Sequence, residues 1–454
     1  MKILIVSNLY PPHYIGGYEL RCSQVAEYLN GAGHEVRVLT SSTRLPGEGN
    51  ASSDPVAANN STIPVERWLR YYTWDWETTG RFYNLAMGKG QLVQARRFSQ
   101  LVDEFQPDIV NWWNLEGLTK AILPIPAMRG IPDVHWVEDI WAIREYGVQG
   151  ENEHLSWFNF WRGNWGPQFS RPFLRRTLAL WERAVQREGI PTRPFLNQPR
   201  HVCFVSEFMR FEHLTAGLVF PSTEVIYGGI VPERFYMQRA ASDFHSRTLR
   251  FLYAGYVEPN RGLHTIIEAL GLLPQNIRER IELSVANSGL QRAEPYVDDI
   301  KKRIERLGLT KRVKFLGKIR HEEMPRVYQG HHALVFASTR KEGLPMTMLE
   351  AMCAGCAVIT TGSGGAIEIA DMADLRIFPK DHPVALSRLI ARLVLDRELV
   401  FQTAMRGQQV ALRNFTFARM MADLIQTFRA LCAGRREKHG PLVARQNEAS
   451  PIPA

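Results

Sequence analysis

The sequence predicts an α/β protein, specifically two doubly wound, Rossmann-like domains that face a central cleft. Two observations support this fold class. Short apolar runs alternate with amphipathic helical segments, which is the pattern of parallel sheets joined by right-handed crossovers. This alternation starts at residue 3 and starts again near residue 250, in a chain whose 454 residues suffice for two or three domains.

The first series of elements begins at the amino terminus. Residues 3–6 form a short apolar run, typical of a strand that is buried on both faces. Positions 22, 25, 26 and 29 hold cysteine, valine, alanine and leucine at the i, i+3, i+4, i+7 spacing of one helix face. Gly31 and Gly33 end the predicted helix. Further strands are expected at 36–38, 109–110, 134–137, 202–205 and 225–227.

The second series repeats the same pattern. A strand at 251–254 precedes a helical face at 263–270, and further strands are expected at 281–285, 313–316, 333–337 and 357–360. The pattern is broken at 228–248. We therefore predict an N-terminal domain at 1–225, a C-terminal domain at 226–410, a final helix at 411–439 that returns to the N-terminal domain, and a disordered tail at 440–454.

Composition excludes several classes of protein. With 45% hydrophobic and 22% charged residues, the chain is neither disordered nor fibrous. Five cysteines are too few for a disulfide framework, which indicates a reducing compartment. No apolar stretch reaches the roughly 18 residues of a membrane span, and the start lacks a secretory apolar region. The expected location is cytoplasmic, either in solution or peripheral on the inner face of the cell membrane.

Tryptophan and arginine are unevenly distributed. All eleven tryptophans lie between Trp68 and Trp181, and residues 161–200 supply six of the nine net positive charges. A Trp/Arg-rich insertion is therefore predicted at about 141–200. Its candidate acceptor-binding or membrane-binding residues are Trp157, Trp161, Arg162, Trp165, Arg175 and Arg176.

Three interpretations of this insertion remain open. Aromatic faces could stack on an acceptor sugar, or tryptophan and arginine could meet an anionic lipid surface. The third interpretation is an inserted helical subdomain with a mostly aromatic core and a solvated arginine face. Nucleic acid is disfavoured because no recognised motif accompanies the charge.

The segment 340–352, RKEGLPMTMLEAM, carries the strongest local signal. Pro345 suits the first turn of a helix, so Gly343 and Leu344 would present free backbone N–H groups at its amino terminus. Glu342 and Glu350 would then lie on the same cleft. Two carboxylates beside an anion site would repel phosphate, but they can accept hydrogen bonds from the hydroxyls of a sugar or ribose.

The loop after the first strand contains Gly16 and Gly17 in front of a helix. A dinucleotide fingerprint would place G-x-G-x-x-G directly after that strand, so a nicotinamide-dependent oxidoreductase is disfavoured. The glycine pair is compatible with a close approach of backbone N–H groups to an anion, and equally with a flexible turn.

The motif from Glu342 to Glu350, EGLPMTMLEAM, resembles the donor site of the family-four retaining glycosyltransferases with the GT-B fold. Other segments similar to that family follow in the expected order: GGYE, GAGHEV, PDVHWVED, YGGIVPERF, FLYAGYVEPNRG, VKFLGKI and TTGSGGAIE. Residues 45–100 and 141–200 match it poorly.

The resemblance implies an enzyme that moves a sugar from a nucleotide-diphosphate sugar, such as a UDP-, GDP- or ADP-sugar, to an acceptor hydroxyl with retention of anomeric configuration. The acceptor would be a carbohydrate or a lipid-linked molecule, in glycan, polysaccharide or glycolipid synthesis. The N-terminal domain would bind the acceptor and the C-terminal domain the donor. No cofactor and no metal are expected, because neither an Asp-x-Asp motif nor a His/Cys cluster with zinc spacing is present.

The resemblance also implies residue roles. Glu350 would bind the ribose, and Glu342 with the N–H groups of Gly343 and Leu344 would hold the sugar. His135 would contact the donor sugar and stabilise an oxocarbenium-like transition state. The remaining donor-site residues, Gly16, Gly17, Arg261 and Ile319, would contact the diphosphate or, for Ile319, the base.

One position departs from the family pattern. Tyr256 follows Gly255 where the family commonly has an arginine, which removes one of two cations expected on the diphosphate. Two alternatives to the transferase therefore remain open: a degenerate scaffold that binds sugar or a membrane surface, and a nucleotide-sugar epimerase of the same fold. Cys353 and Cys356 have the spacing of a redox pair, but small buried packing residues are the favoured interpretation.

Overall fold

The computed structural model describes residues 1–44, 63–70, 83–146, 160–161, 171–190, 192, 201–287 and 294–438. Within these residues the chain forms two parallel sheets, one of seven strands and one of six, with helices packed on their faces. The predicted fold class, two Rossmann-like domains, is confirmed.

The first sheet has the strand order β3-β2-β1-β4-β5-β6-β7, and all its pairings are parallel. Its strands are β1 Lys2–Val6, β2 Glu35–Ser41, β3 Val65–Leu69, β4 Ile109–Trp112, β5 Asp133–Val137, β6 His201–Phe204 and β7 Ser222–Val225. The strand expected at 225–227 starts three residues earlier, at Ser222, and ends two residues earlier, at Val225.

The second sheet has the order β10-β9-β8-β11-β12-β13 and is also parallel. Its strands are β8 Leu249–Gly255, β9 Ile281–Asn287, β10 Val313–Lys318, β11 Ala333–Phe336, β12 Ala357–Thr360 and β13 Arg376–Ile377. The carboxyl ends of parallel strands form the ligand-binding edge of such a sheet, so the loops after β8, β10 and β11 are positioned for a site.

Helices connect the strands of both sheets. In the first half they are α1 Gly17–Gly31, α2 Tyr83–Phe105, α3 Pro124–Met128, α4 Trp141–Tyr146, α5 Arg171–Arg187, α6 Glu207–Thr215 and α7 Pro232–Phe235. In the second half they are α8 Leu263–Gly271, α9 Gln275–Arg278, α10 Glu294–Arg306, α11 Met324–Gln329, α12 Met346–Cys353, α13 Ala366–Ala373, α14 Pro383–Leu395, α15 Arg397–Asn414 and α16 Phe417–Lys438.

The last helix, α16, packs on the first domain although it follows the second in sequence. Its Met420 and Leu424 are fully buried in the same core as Ile3 and Ile5 of β1. The chain therefore passes between the domains twice. The two segments that connect the domains touch each other, because a Cβ on Gly229 of the first would lie 2.4 Å from the backbone of Thr416 of the second.

The tryptophans of the described residues mostly fill the core of the first domain. Trp161 is only 7% exposed, and its ring centroid lies 5.2 Å from that of Trp181 and 5.1 Å from that of Phe160. Trp161 is therefore a packing residue, and its predicted acceptor or membrane contact is wrong. The fully buried members of the same group are Trp112, Trp113, Trp136 and Trp141.

The other residues of that prediction are either exposed or lie outside the described residues. Arg175 and Arg176 lie on the exposed surface of α5. Trp157, Arg162, Trp165 and the tail 440–454 lie outside the described residues. In the part of the chain that the structure describes, no helix combines the length and apolar character needed to cross a membrane.

Candidate active site at the cleft between the domains

The segment from Glu342 to Pro345, called the donor loop below, joins β11 to α12. Pro345 is the residue before the helix begins at Met346, not part of its first turn. A Cβ on Gly343 would lie 1.8 Å from the backbone oxygen of Glu138, at the end of β5 in the other domain. Only glycine permits this approach, so the donor loop forms part of the interface between the domains.

The backbone N–H groups of Gly343 and Leu344 donate no hydrogen bond to any described residue. They lie just ahead of the amino terminus of α12, where N–H groups are not used by the helix itself. Such groups are suited to bind an anion or a ligand oxygen. The structure thus keeps two donors available where the sequence predicted them.

Glu342 is held by two partners from its own domain. Its Oε1 accepts a hydrogen bond from Ser338 Oγ at 3.0 Å and pairs with the guanidinium of Arg261. The side chain is 16% exposed, so the carboxylate is fixed in position and still reachable from the cleft. The structure therefore brings Glu342 and Arg261 together, two residues that are far apart in the sequence.

Arg261 is placed by a tight turn after β8. Gly262 adopts φ = 72°, and a Cβ on it would lie 2.1 Å from the carbonyl oxygen of Ala337. The turn is also tied to that segment by the N–H of Thr339, which donates to the oxygen of Asn260 at 2.9 Å. Glycine is required here because an L residue would be strained at this φ and would collide with the backbone. This contact holds Arg261 beside Glu342.

Glu350 lies in α12 and is 8% exposed. Tyr328 donates its hydroxyl proton to Oε2 at 2.8 Å, and His321 Nε2 lies 3.1 Å from Oε1. The hydrogen bond to Glu350 raises the pKa of His321 above its ordinary value. Sequence reasoning found Glu350 from its spacing to Glu342. It missed His321 and Tyr328, since no pattern in the segment 319–330 distinguishes them from its other polar residues.

Ile319, predicted to meet the base, follows the last residue of β10. Its N–H donates to the oxygen of Asn287 at 3.1 Å, and its side chain is half-buried against the core beneath α12. It therefore lies two residues from His321, at the edge of the sheet that also carries Glu350. This placement is compatible with the predicted contact, which stays a prediction.

The loop with Gly16 and Gly17 approaches the second domain. A Cβ on either glycine would meet nothing within 4 Å, so the backbone there is open to a ligand. Tyr256 spans the gap: its hydroxyl donates to the oxygen of Ile15 at 3.3 Å, and the guanidinium carbon of Arg261 lies 5.8 Å from its ring centroid. Tyr256 thus connects the glycine loop to Arg261 but supplies no charge.

His135 does not lie where the resemblance to the family placed it. It is inside β5, 1% exposed, with its ring 5.9 Å from that of Trp112. Burial lowers its pKa to about 3, and neither ring nitrogen has a hydrogen-bond partner among the described residues. Glu138 lies three positions further along the chain, a distance of about 10 Å for extended backbone. The predicted contact between His135 and the donor sugar is therefore wrong.

Glu138 occupies the cleft end of β5 instead. Its carboxylate is 13% exposed, lies 3.2 Å from Arg21 and accepts a hydrogen bond from Trp136 Nε1 at 2.7 Å. Burial is the main reason that its pKa is raised. The signal that could have found it is the length of the apolar strand, which ends at Val137 and makes Glu138 the first residue beyond it.

Two cysteine-containing groups are not assigned to this site, although Cys353 lies on α12 three residues after Glu350. Burial raises the pKa of the Cys356 thiol to about 11, and Cys353 is also fully buried, which favours the packing interpretation. His201, Cys203 and Glu224 meet on the neighbouring strands β6 and β7, of which β7 is the edge strand. Glu224 Oε1 there lies 2.8 Å from His201 Nε2 and accepts hydrogen bonds from Thr427 Oγ1 at 2.6 Å and from the Cys203 thiol at 3.3 Å. These hydrogen bonds join α16 to the sheet.

Two facing parallel-sheet domains, with a carboxylate-lined loop and free N–H groups between them, define a GT-B glycosyltransferase. The sequence profile described as glycosyl transferases group 1 matches residues 237–410, and the one described as glycosyltransferase family 4 matches residues 15–234. The chain belongs to this family of glycosyltransferases, and the resemblance inferred from its motifs is confirmed.

Individual relatives agree with this assignment. An uncharacterised glycosyltransferase of Methanocaldococcus jannaschii is 22% identical over 89% of this chain and 92% of its own. Glycogen synthase of Mycobacterium tuberculosis is 25% identical over 96% of both chains. Among solved structures, HepE of Anabaena in complex with UDP superposes with a TM-score of 0.65 at 20% identity, over 95% of this chain and all of that one. Sucrose-phosphate synthase of Thermosynechococcus elongatus gives 0.64 at 16% identity, over 95% and 99%.

Proposed function

We propose that the protein transfers a hexosyl group from a nucleotide-diphosphate sugar to an acceptor hydroxyl with retention of anomeric configuration. The observation that carries this proposal is the donor loop. Its residue Glu342 and the free N–H groups of Gly343 and Leu344 directly precede α12, the helix that carries Glu350. Carboxylates that accept from hydroxyls, next to N–H groups that bind oxygen, match the mixed chemistry of such a donor.

Each part of the donor then has a partner. Glu350 accepts hydrogen bonds from the ribose hydroxyls, since Tyr328 and His321 hold its carboxylate at the edge of the cleft. Gly16 and Gly17 approach the diphosphate from the opposite domain. Relatives support a nucleotide donor: HepE of Anabaena is described in complex with UDP-glucose, and a mannosyltransferase of Mycobacterium tuberculosis is named as GDP-mannose-dependent.

Negative charge develops on the diphosphate as the glycosidic bond breaks. Arg261 is the cation beside the donor loop that stabilises this charge, and stabilisation of a leaving group is commonly a large part of catalysis. Glu342 orients the sugar hydroxyls and keeps Arg261 in place. The acceptor hydroxyl attacks on the face that the diphosphate leaves, so the product retains the configuration without a protein nucleophile. This scheme uses no metal.

The proposal is tested with UDP-glucose, GDP-mannose and ADP-glucose, each offered with a panel of sugar acceptors. We expect nucleoside diphosphate release with one donor, and a product whose anomeric proton in NMR shows the configuration of the donor. Glu342→Gln should lower the rate at least about 100-fold, whereas Glu282→Gln, an exposed acid on β9, should leave it unchanged.

Two outcomes would overturn the proposal. An epimerised sugar released without acceptor would identify an epimerase. No turnover with any donor, from a folded protein, would favour a degenerate scaffold.

We also propose that α5 docks the enzyme on an anionic membrane surface, where a lipid-linked acceptor would be found. Phe173 and Leu180 are 74% and 66% exposed on this helix. They share one stripe at heptad spacing with three exposed arginines, Arg176, Arg183 and Arg187. The opposite side of α5 is anchored in the domain by Leu178 and Val185. Exposed apolar residues interleaved with cations fit the headgroup region of an anionic bilayer.

A further inference from the structure

Helix α6 of the first domain is capped by a side chain of the second domain. Its first two N–H groups, those of Glu207 and Phe208, donate to the carboxylate of Glu368 on α13 at 2.9 and 2.6 Å. The third, that of Met209, donates to Ser206 Oγ at 3.1 Å. These N–H groups have no partner within a helix. The amino terminus of α6 is therefore completed only when Glu368 is in place.

The same carboxylate also binds the segment between the domains. Tyr227, two residues beyond β7, donates its hydroxyl proton to Glu368 Oε2 at 2.9 Å. The backbone oxygen of Tyr227 in turn accepts from Arg419 on α16 at 2.6 Å. Glu368 thus joins α6, the connecting segment and α13, and each of these parts belongs to a different section of the chain.

The cap is continuous with the donor loop. Ser206 Oγ, which caps α6, donates to the oxygen of Gly343 at 2.7 Å. The N–H of Gly365, three residues before Glu368, donates to the oxygen of Glu342 at 2.8 Å. A Cβ on Gly365 would lie 2.0 Å from the Gly343 oxygen, so these backbones are in close contact. The donor loop is consequently held between Ser206 and the segment that carries Glu368, the two residues that cap α6.

An ion pair also crosses the cleft beside the cap. Lys341, next to Glu342, pairs with Glu212 of α6 at 2.5 Å, and the lysine is 59% exposed. An exposed pair of this kind contributes little on its own. The carboxylate cap is different, because two N–H groups and the positive end of the helix dipole face one negative charge. Glu368 is therefore the main polar contact that favours the closed arrangement on this side of the cleft.

We propose that Glu368 is a positioning residue that couples closure of the two domains to the geometry of the donor loop. It contacts none of the residues assigned to the donor directly, and acts through Ser206, Gly343 and the backbone of Glu342. When the domains separate, the N–H groups of α6 lose this acceptor and the donor loop loses its support from the first domain. Closure and a correctly placed Glu342 therefore occur together.

The test compares Glu368→Ala with Asp371→Ala, which removes an exposed acid from the same helix. Small-angle X-ray scattering of the nucleotide-free proteins and of samples with UDP, GDP or ADP reports domain separation. We expect a larger radius of gyration for Glu368→Ala without nucleotide, while Asp371→Ala matches the wild type. Glu368→Gln keeps one acceptor oxygen and should fall between the two. This arm is independent of any catalytic activity.

The kinetic arm rests on the proposed function. With an active donor, Glu368→Ala should raise the donor KM and lower kcat/KM by roughly tenfold, as expected for the loss of charge-assisted hydrogen bonds. A merely structural role would lower the melting temperature and leave the scattering and KM unchanged, and that result would overturn the proposal. Absence of turnover in the wild type would contradict the proposed function alone, because the scattering comparison would still stand.

Discussion

At the scale of single residues, the site depends on where carboxylates are buried. Glu342 and Glu350 each have neighbours that hold the carboxylate, namely Arg261 with Ser338, and Tyr328 with His321. Glu19 of α1 is also buried, at 5% exposure, but its carboxylate accepts a hydrogen bond from a backbone group, the N–H of Gly16, at 3.0 Å. Burial raises its pKa to about 7, directly beside the glycine loop.

This pKa predicts how stability depends on pH. The unfolded chain has a glutamate pKa of about 4.3, so between about pH 4.3 and 7 the folded state binds a proton that the unfolded state has lost. The contribution of Glu19 to stability is therefore largest below this window and falls as the pH rises through it. Above about pH 7 both states are ionised and the contribution is constant.

Glu19→Gln removes this titration and keeps an oxygen for the Gly16 N–H. The difference in melting temperature between wild type and Glu19→Gln should fall by roughly 2–4 °C between pH 4.5 and 7.5 and stay level above that. Differential scanning fluorimetry measures it, with Glu27→Gln, an exposed acid on the same helix, as control. A difference that is constant over this range would refute the buried, raised pKa.

The sequence predicted some of these residues and not others, for a physical reason. The spacing of Glu342 and Glu350 and the turn before α12 are local features, so they could be read directly. Their partners Tyr328 and His321 come from α11 and from the loop before it, and only folding brings them near Glu350. His135 was misplaced because it was assigned from its match to a family motif, although the strand predicted at 134–137 already placed it inside β5.

At the scale of elements, most strands were predictable, but the edge strands β3 and β13 were not. The strand β1 is buried on both faces and reads as an apolar run. The edge strand β3, Val65–Leu69, is half-buried along most of its length and contains Glu66 and Arg67, so no such run marks it. The two-residue strand β13 is too short to give a pattern. Burial on both faces makes a parallel strand easy to recognise in the sequence, whereas a half-buried or very short strand can be missed.

Helix α5 is the element whose surface carries a prediction. Wild-type protein should co-sediment with phosphatidylserine-containing vesicles at low salt and not with neutral phosphatidylcholine vesicles. Replacing Arg176 and Arg183 by Glu should weaken this binding at least about tenfold, because each arginine near an anionic surface contributes about 1 kcal/mol. Added salt should weaken it as well.

A charge-matched control excludes a general effect of net charge. Lys302→Glu with Arg306→Glu changes two exposed cations on α10, in the other domain. This variant should bind the vesicles like the wild type. Equal binding of the α5 variant and the control, or no binding of the wild type at low salt, would contradict the membrane proposal.

At the scale of the whole molecule, the two domains are joined by a returning helix and by a polar interface. The helix α16 adds its apolar face to a core of the first domain, and Arg419 fixes the connecting segment. The donor loop and the Glu368 cap lie at the interface. The two series of strands in the sequence predicted two domains, but no local pattern could predict which backbones touch across the cleft. Gly343 shows this, because its need for glycine arises from the facing domain.

The most direct test of the central claim is calorimetric titration of UDP, GDP and ADP into wild type and Glu350→Gln. We predict that one nucleotide binds wild type at a single site, and that Glu350→Gln weakens it roughly 10- to 100-fold, as expected when hydrogen bonds from ribose to a charged acceptor are lost. A melting curve of Glu350→Gln confirms that the variant is folded. Equal affinity in the two proteins, or no binding of any of the three nucleotides to wild type, would contradict a donor site at this loop.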